Sequence, residues 1–130
     1  MTPEELLDAA RAVARNAYAP YSGFRVGAII VADDGTTYQG VNWENAAYPS
    51  GMCAEASAIA AAVTAGRTEL ATVAAACIDA GTDEESFPCG QCLQRLHEFG
   101  VREVIVAKPD GTAGTHAFAE LLPHGFRLEN

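Results

Sequence analysis

The chain has 130 residues, 49% of them apolar and 19% charged, which suits one domain spanning 1–130 around one core and excludes a disordered polypeptide. Its net charge is −9 with Lys108 as the sole lysine, so it lacks the clustered basic surface that binding a nucleic-acid backbone requires. Neither a basic leader at Met1-Thr2-Pro3-Glu4-Glu5 nor an apolar run of about 18 residues is present, so neither a secretory signal nor a transmembrane helix is expected, and the reading is a cytoplasmic protein.

Thr2-Pro3-Glu4-Glu5 reads as a capping box, with threonine before the helix, proline at its first position and glutamate closing the box. Leu6, Leu7, Ala10, Val13, Ala14 and Ala17 then recur at helical spacing, and Pro20 stops the helix. Phe24 to Ala32 is a strand, Asp33-Asp34-Gly35 a hairpin turn, and Thr36 to Val41 the returning strand. Gly27 inside the first strand marks a close backbone approach. The polar stretch Asn42 to Gly51 is an irregular loop of the kind that carries binding groups. Cys53 to Ala65 is an alanine-rich helix capped by Gly66. Leu70 to Ala80 is a strand that carries Cys77 among alanines, and Gly81 to Ser86 an acidic loop. Cys89 to Phe99 is a helix closed by Gly100, Val101 to Ala107 a strand ending at Pro109-Asp110-Gly111, and Phe118 to Leu122 a short helix. This alternation predicts a mixed sheet with helices packed on it.

Two short segments carry the chemistry: Cys53-Ala54-Glu55 and Pro88-Cys89-Gly90-Gln91-Cys92. Cysteine binds metal as the thiolate, and a helix N-terminus lowers a thiol's pKa. Cys53 opens one helix, while Cys89 and Cys92 open another on one face. Three protein ligands leave the fourth tetrahedral position of a zinc ion open to water, the mark of a catalytic site rather than a structural one. Glu55 lies too close to Cys53 to be a comfortable fourth ligand and is placed to shuttle protons. A closed structural site would have to recruit Cys77 or one of His97, His116 and His124, and a lone C-x-x-C is also compatible with redox chemistry.

The order C-x-E followed by P-C-x-x-C is very similar to the signature of the zinc nucleobase deaminases. Together with Tyr18-Ala19-Pro20-Tyr21-Ser22-Gly23-Phe24-Arg25-Val26-Gly27-Ala28, Asn42-Trp43-Glu44-Asn45-Ala46-Ala47-Tyr48 and Glu120-Leu121-Leu122-Pro123-His124-Gly125-Phe126, it resembles the small homotetrameric cytidine deaminases along nearly the whole chain. The resemblance implies an α/β fold of three layers, a mixed five-stranded β-sheet with helices on both faces. It implies one zinc ion per subunit on Cys53, Cys89 and Cys92, with Glu55 catalytic. It further implies that Asn42 and Glu44 bind the ribose hydroxyls, that Phe24 lies against the pyrimidine, and that the backbone at Ala54 contacts the base. Tyr48 and Phe126 would serve the site of an adjacent protomer. The activity implied is hydrolysis of cytidine or deoxycytidine to the uridine form in pyrimidine salvage. The alternatives are a deaminase of a modified cytosine nucleoside such as blasticidin S and a zinc-stabilised module without catalysis.

The chain also departs from the pattern. Relatives with three cysteine ligands often carry arginine directly after the glutamate and after the last cysteine, where this chain has Ala56 and Leu93. Uncompensated thiolates would make a zinc-bound water less acidic and shift the pH–rate profile to the alkaline side, with Gln91 offering a neutral hydrogen bond in part compensation.

Overall fold

The computed structural model describes residues 1–128. Its elements run α1 (Pro3–Ala14), β1 (Val26–Ala32), β2 (Thr37–Val41), α2 (Ala54–Thr64), β3 (Leu70–Cys77), α3 (Gly90–Glu98), β4 (Glu103–Ala107), β5 (Ala113–Ala117) and α4 (Phe118–Leu121). The strands form one sheet in the order β2-β1-β3-β4-β5. β3 and β4 pair in parallel, joined by the crossover through α3, and the other neighbours are antiparallel.

Side chains of a strand point alternately to its two faces, so each strand serves two cores. Ala28, Ile30, Val73, Val104 and Val106 face Ala54, Ala58, Ile59 and Ala62 of α2 and Leu93 and Leu96 of α3. The intervening Ile29, Ala74, Ala76 and Ile105 face Leu6, Leu7 and Ala10 of α1. The result is the expected three layers, with α1 on one side of a mixed five-stranded sheet and α2 and α3 on the other.

Two glycines set how closely the helices approach. A Cβ on Gly27 would lie 2.1 Å from the Ala10 carbonyl oxygen, and one on Gly40 would lie 2.3 Å from the Ala58 nitrogen and 2.6 Å from the Ala54 carbonyl oxygen. Gly27 is the close approach read from the sequence; Gly40 is a second one, and it seats the helix that begins beside Cys53.

Thr2 caps α1 with both bonds of the capping box in place. The helix ends at Ala14, well short of Pro20. Tyr18 instead turns its backbone to the loop after β2: its N–H donates to the Asn42 carbonyl, and its carbonyl accepts from the Glu44 N–H. β3 closes at Cys77, which is therefore at a half-buried strand end rather than within the strand. β5, Ala-Gly-Thr-His-Ala, was not among the strands read along the chain, because that run has no apolar alternation. It is an edge strand made by its pairing to β4.

Candidate active site

Cys53 and Cys89 occupy the N-cap positions of α2 and α3, with extended backbones at φ −75°, ψ 155° and φ −69°, ψ 166°. Their carbonyls accept the first helical bonds, from Ser57 and Leu93. Neither side chain caps its helix, so each thiol is left for another task. Cys92 follows one turn into α3 and is fully buried. The Sγ atoms of Cys53, Cys89 and Cys92 all lie within 4.8 Å of one another. Three soft sulfur donors converging at two positive helix ends suit zinc. Cys77 is outside this group, and among the described residues no histidine joins it. His97 stacks on Phe118 and His116 meets the edge of Phe87.

The titration of the thiols is shared. Cys53 is lowered to about 6, chiefly because the Cys92 thiol donates a hydrogen bond to it. Cys92 is pushed up, because losing its proton would forfeit that bond and leave a charge in a buried place. Glu55, in the first turn of α2, is 5% exposed. Burial raises its carboxyl to about 7, and the neighbouring Cys53 charge adds to the rise; a backbone hydrogen bond, Cys92 and Arg95 oppose it. A carboxyl poised there can both take and return a proton at neutral pH.

The position after Glu55 and the position after Cys92 are apolar because they belong to the interior: Ala56 is 6% exposed and Leu93 is 9%. A cation nevertheless stands at the sulfurs. Arg95 Nη1 donates to Cys92 Sγ at 3.5 Å, and Gln91 lines the adjoining cavity. The sequence reading had no cation at the sulfurs, and folding brings one there. Helical i, i+3 spacing from Cys92 was the signal that would have found Arg95 in the sequence.

A cavity of about 510 Å³ opens over this cluster, lined among others by Asn42, Glu44, Tyr48, Cys53, Gln91 and Arg95. The Asn42 amide accepts from the Val26 N–H at 2.8 Å and donates to the Phe24 carbonyl at 2.8 Å. Glu44 Oε1 accepts from the Tyr21 and Ser22 N–H groups at 2.9 and 3.1 Å, and Oε2 accepts from the Ser22 hydroxyl. Those bonds hold the Glu44 carboxyl below the usual carboxylate range, the Ser22 hydroxyl being the largest cause. Both residues thus brace the segment from Tyr21 to Val26 as well as facing the cavity, a structural use that the sequence reading did not assign. Ala54 is buried beside Cys53. Phe24 and Phe126 lie outside the cavity lining and are 43% and 66% exposed. Tyr48 is 75% exposed, with its ring 5.8 Å from that of Tyr21. Gln94, another residue not singled out in the sequence, clamps the backbone of Phe126 through both its donor and its acceptor.

A layered α/β fold that gathers three sulfurs and one protonatable carboxyl beside an open cavity, which Cys53 lines, defines a metal-dependent enzyme of the zinc hydrolase kind. Residues 1–108 match the family described as "Cytidine and deoxycytidylate deaminase zinc-binding region". A cytidine deaminase of Sporosarcina psychrophila is 37% identical over 132 residues, covering 100% of this chain and 95% of that protein. One from Mycobacterium tuberculosis is 38% identical over 117 residues, covering 90% of this chain and 84% of the relative. The crystal structure of the cytidine deaminase from Burkholderia pseudomallei superposes with a TM-score of 0.85 at 38% identity, over 97% of this chain and 100% of that one. The chain belongs to the cytidine and deoxycytidylate deaminase family.

Proposed function

We propose that this protein is a zinc-dependent cytidine deaminase, hydrolysing cytidine and deoxycytidine to uridine and deoxyuridine with release of ammonia. The observation that carries this reading is the meeting of three sulfurs within 4.8 Å beside the buried carboxyl of Glu55. Cys53, Cys89 and Cys92 would hold one zinc ion, which when bound supplies Lewis acidity toward water. Glu55 takes a proton from the attacking water and delivers it to N3 of the cytosine ring. It then passes the second water proton to the amino group, so that the C4–N bond breaks as ammonia leaves and the C4–O bond is retained.

Asn42 and Glu44 present their remaining hydrogen-bonding capacity to the sugar hydroxyls, of which the 3′-hydroxyl is common to cytidine and deoxycytidine, and a site built to pair that group rejects ligands that lack it. The Ala54 backbone contacts the base and Phe24 lies against the pyrimidine. Residues 1–130 act as one domain, in the cytoplasm and in pyrimidine salvage. Tyr18, Tyr21, Phe24, Trp43, Tyr48 and Phe126 are each at least 43% exposed, three of them (Tyr21, Trp43 and Tyr48) at the cavity, more aromatic surface than a lone chain comfortably shows to water. A homotetramer in which Tyr48 and Phe126 reach a neighbour's cavity would cover it.

The test is Glu55→Gln, assayed by the absorbance change on cytidine turnover and by bound zinc. Turnover falls about 10²- to 10⁴-fold while zinc stays stoichiometric. Full turnover in that variant would remove Glu55 from the chemistry. A panel that includes deoxycytidine and blasticidin S assigns the substrate.

A further inference from the structure

We propose that Arg95 is the positioning residue of the three-sulfur site, offsetting the surplus charge of its thiolates and fixing the aim of Cys92; this rests on the zinc reading above. Three thiolates around a divalent ion leave one negative charge in excess. In a partly buried site such a charge is costly unless a cation stands near. Arg95 is half-buried, and its Nη1 donates to Cys92 Sγ at 3.5 Å. It is the one cation among the described residues lining the cavity above Cys53. Other arginines are engaged away from the site: Arg11 with Asp8, Arg25 with Asp79, Arg67 with Asp34 and Arg102 with Asp33. Ala56 and Leu93 are buried and apolar, so neither position supplies a charge to the sulfurs.

The placement has a structural logic. Arg95 is one turn beyond Cys92 on α3, so the helix that presents the sulfur also presents its counter-charge. Leu93 and Leu96, flanking it on the same helix, are both packed in the core and hold that face of α3 still. A guanidinium keeps its charge at any working pH and donates from a fixed plane, which a lysine ammonium does not reproduce.

Cobalt substitution tests this with a readout independent of turnover. Cobalt(II) bound by thiolates gives a sulfur-to-metal charge-transfer band whose energy falls as the sulfur becomes more electron-rich. In Arg95→Gln the band moves to longer wavelength, and Arg95→Lys brings it part of the way back. With zinc in place, Arg95→Gln lowers kcat about 10- to 100-fold and leaves KM for cytidine within a few-fold. Bands that superimpose in all three proteins would overturn the role given to Arg95 and leave the zinc site intact. Absence of any such band in the unsubstituted, cobalt-loaded protein would overturn the metal reading and this inference with it.

Discussion

At the level of single residues, Glu55 is the carboxyl most displaced from its ordinary chemistry. Its carboxyl is raised from 4.5 to about 7, mainly by burial. Below pH 4.5 folded and unfolded chains both keep the proton. Between 4.5 and about 7 only the folded chain holds it, so stability drains away as pH rises and the full loss is present above about 7. The metal-free Glu55→Gln variant lacks that penalty. It should equal the metal-free parent in urea titrations near pH 4 and exceed it at pH 8 by on the order of 3 kcal/mol. A constant difference between the two across that range would count against burial as the cause. Asn42 and Glu44 show how a residue type can be legible while part of its duty is not. Their side chains read from sequence as sugar partners, and folding also commits them to the backbone of Phe24, Val26, Tyr21 and Ser22.

At the level of elements, helix starts were readable and helix ends less so. Thr2 and Glu5 signal their capping box locally, so α1 begins where expected. Thr2→Ala should cost about 0.5–2 kcal/mol in thermal or urea unfolding and leave zinc content and kcat unchanged, because α1 packs on the sheet face away from the cysteines. Its end at Ala14 depends on Tyr18 pairing with Asn42 and Glu44, partners far along the chain that no local pattern announces. β5 is a similar case, a weak run drawn into the sheet by β4. Gly40 belongs to the interface between elements. In Gly40→Ala the new methyl meets the backbone of α2 at Ala54 and Ala58, and backbone cannot rotate away. The variant should lose about 1–3 kcal/mol of stability and bind zinc less tightly in chelator competition, since α2 carries Cys53 at its tip.

For the whole molecule, the acidic balance and the exposed aromatic rim bear on its company. A net charge of −9 argues for small-molecule chemistry over nucleic acid. Tyr48 and Phe126, at 75% and 66% exposed, are the two side chains that the proposed homotetramer would set against a neighbouring subunit. Tyr48→Ser combined with Phe126→Ser should give a smaller species by sedimentation velocity and a large loss of turnover, with zinc still bound to each chain. An unchanged sedimentation coefficient would place the subunit contact elsewhere.

The three cysteines that converge and the carboxyl buried beside them were legible in the chain itself. Cysteine spacing, a glutamate two residues from a ligand and helix-starting patterns are local properties, and local properties survive without a fold. The central strands were likewise legible as apolar runs in β1, β3 and β4, because a strand covered on both faces is apolar at nearly every position. What required folding was every relation between distant segments: the convergence of the Cys53 and Cys89 helix tips, the burial that shifts Glu55, the cation that Arg95 brings to Cys92, and the edge strand β5. These depend on distances through space, which the packing of α2 and α3 on one sheet face sets and which no spacing along the chain encodes.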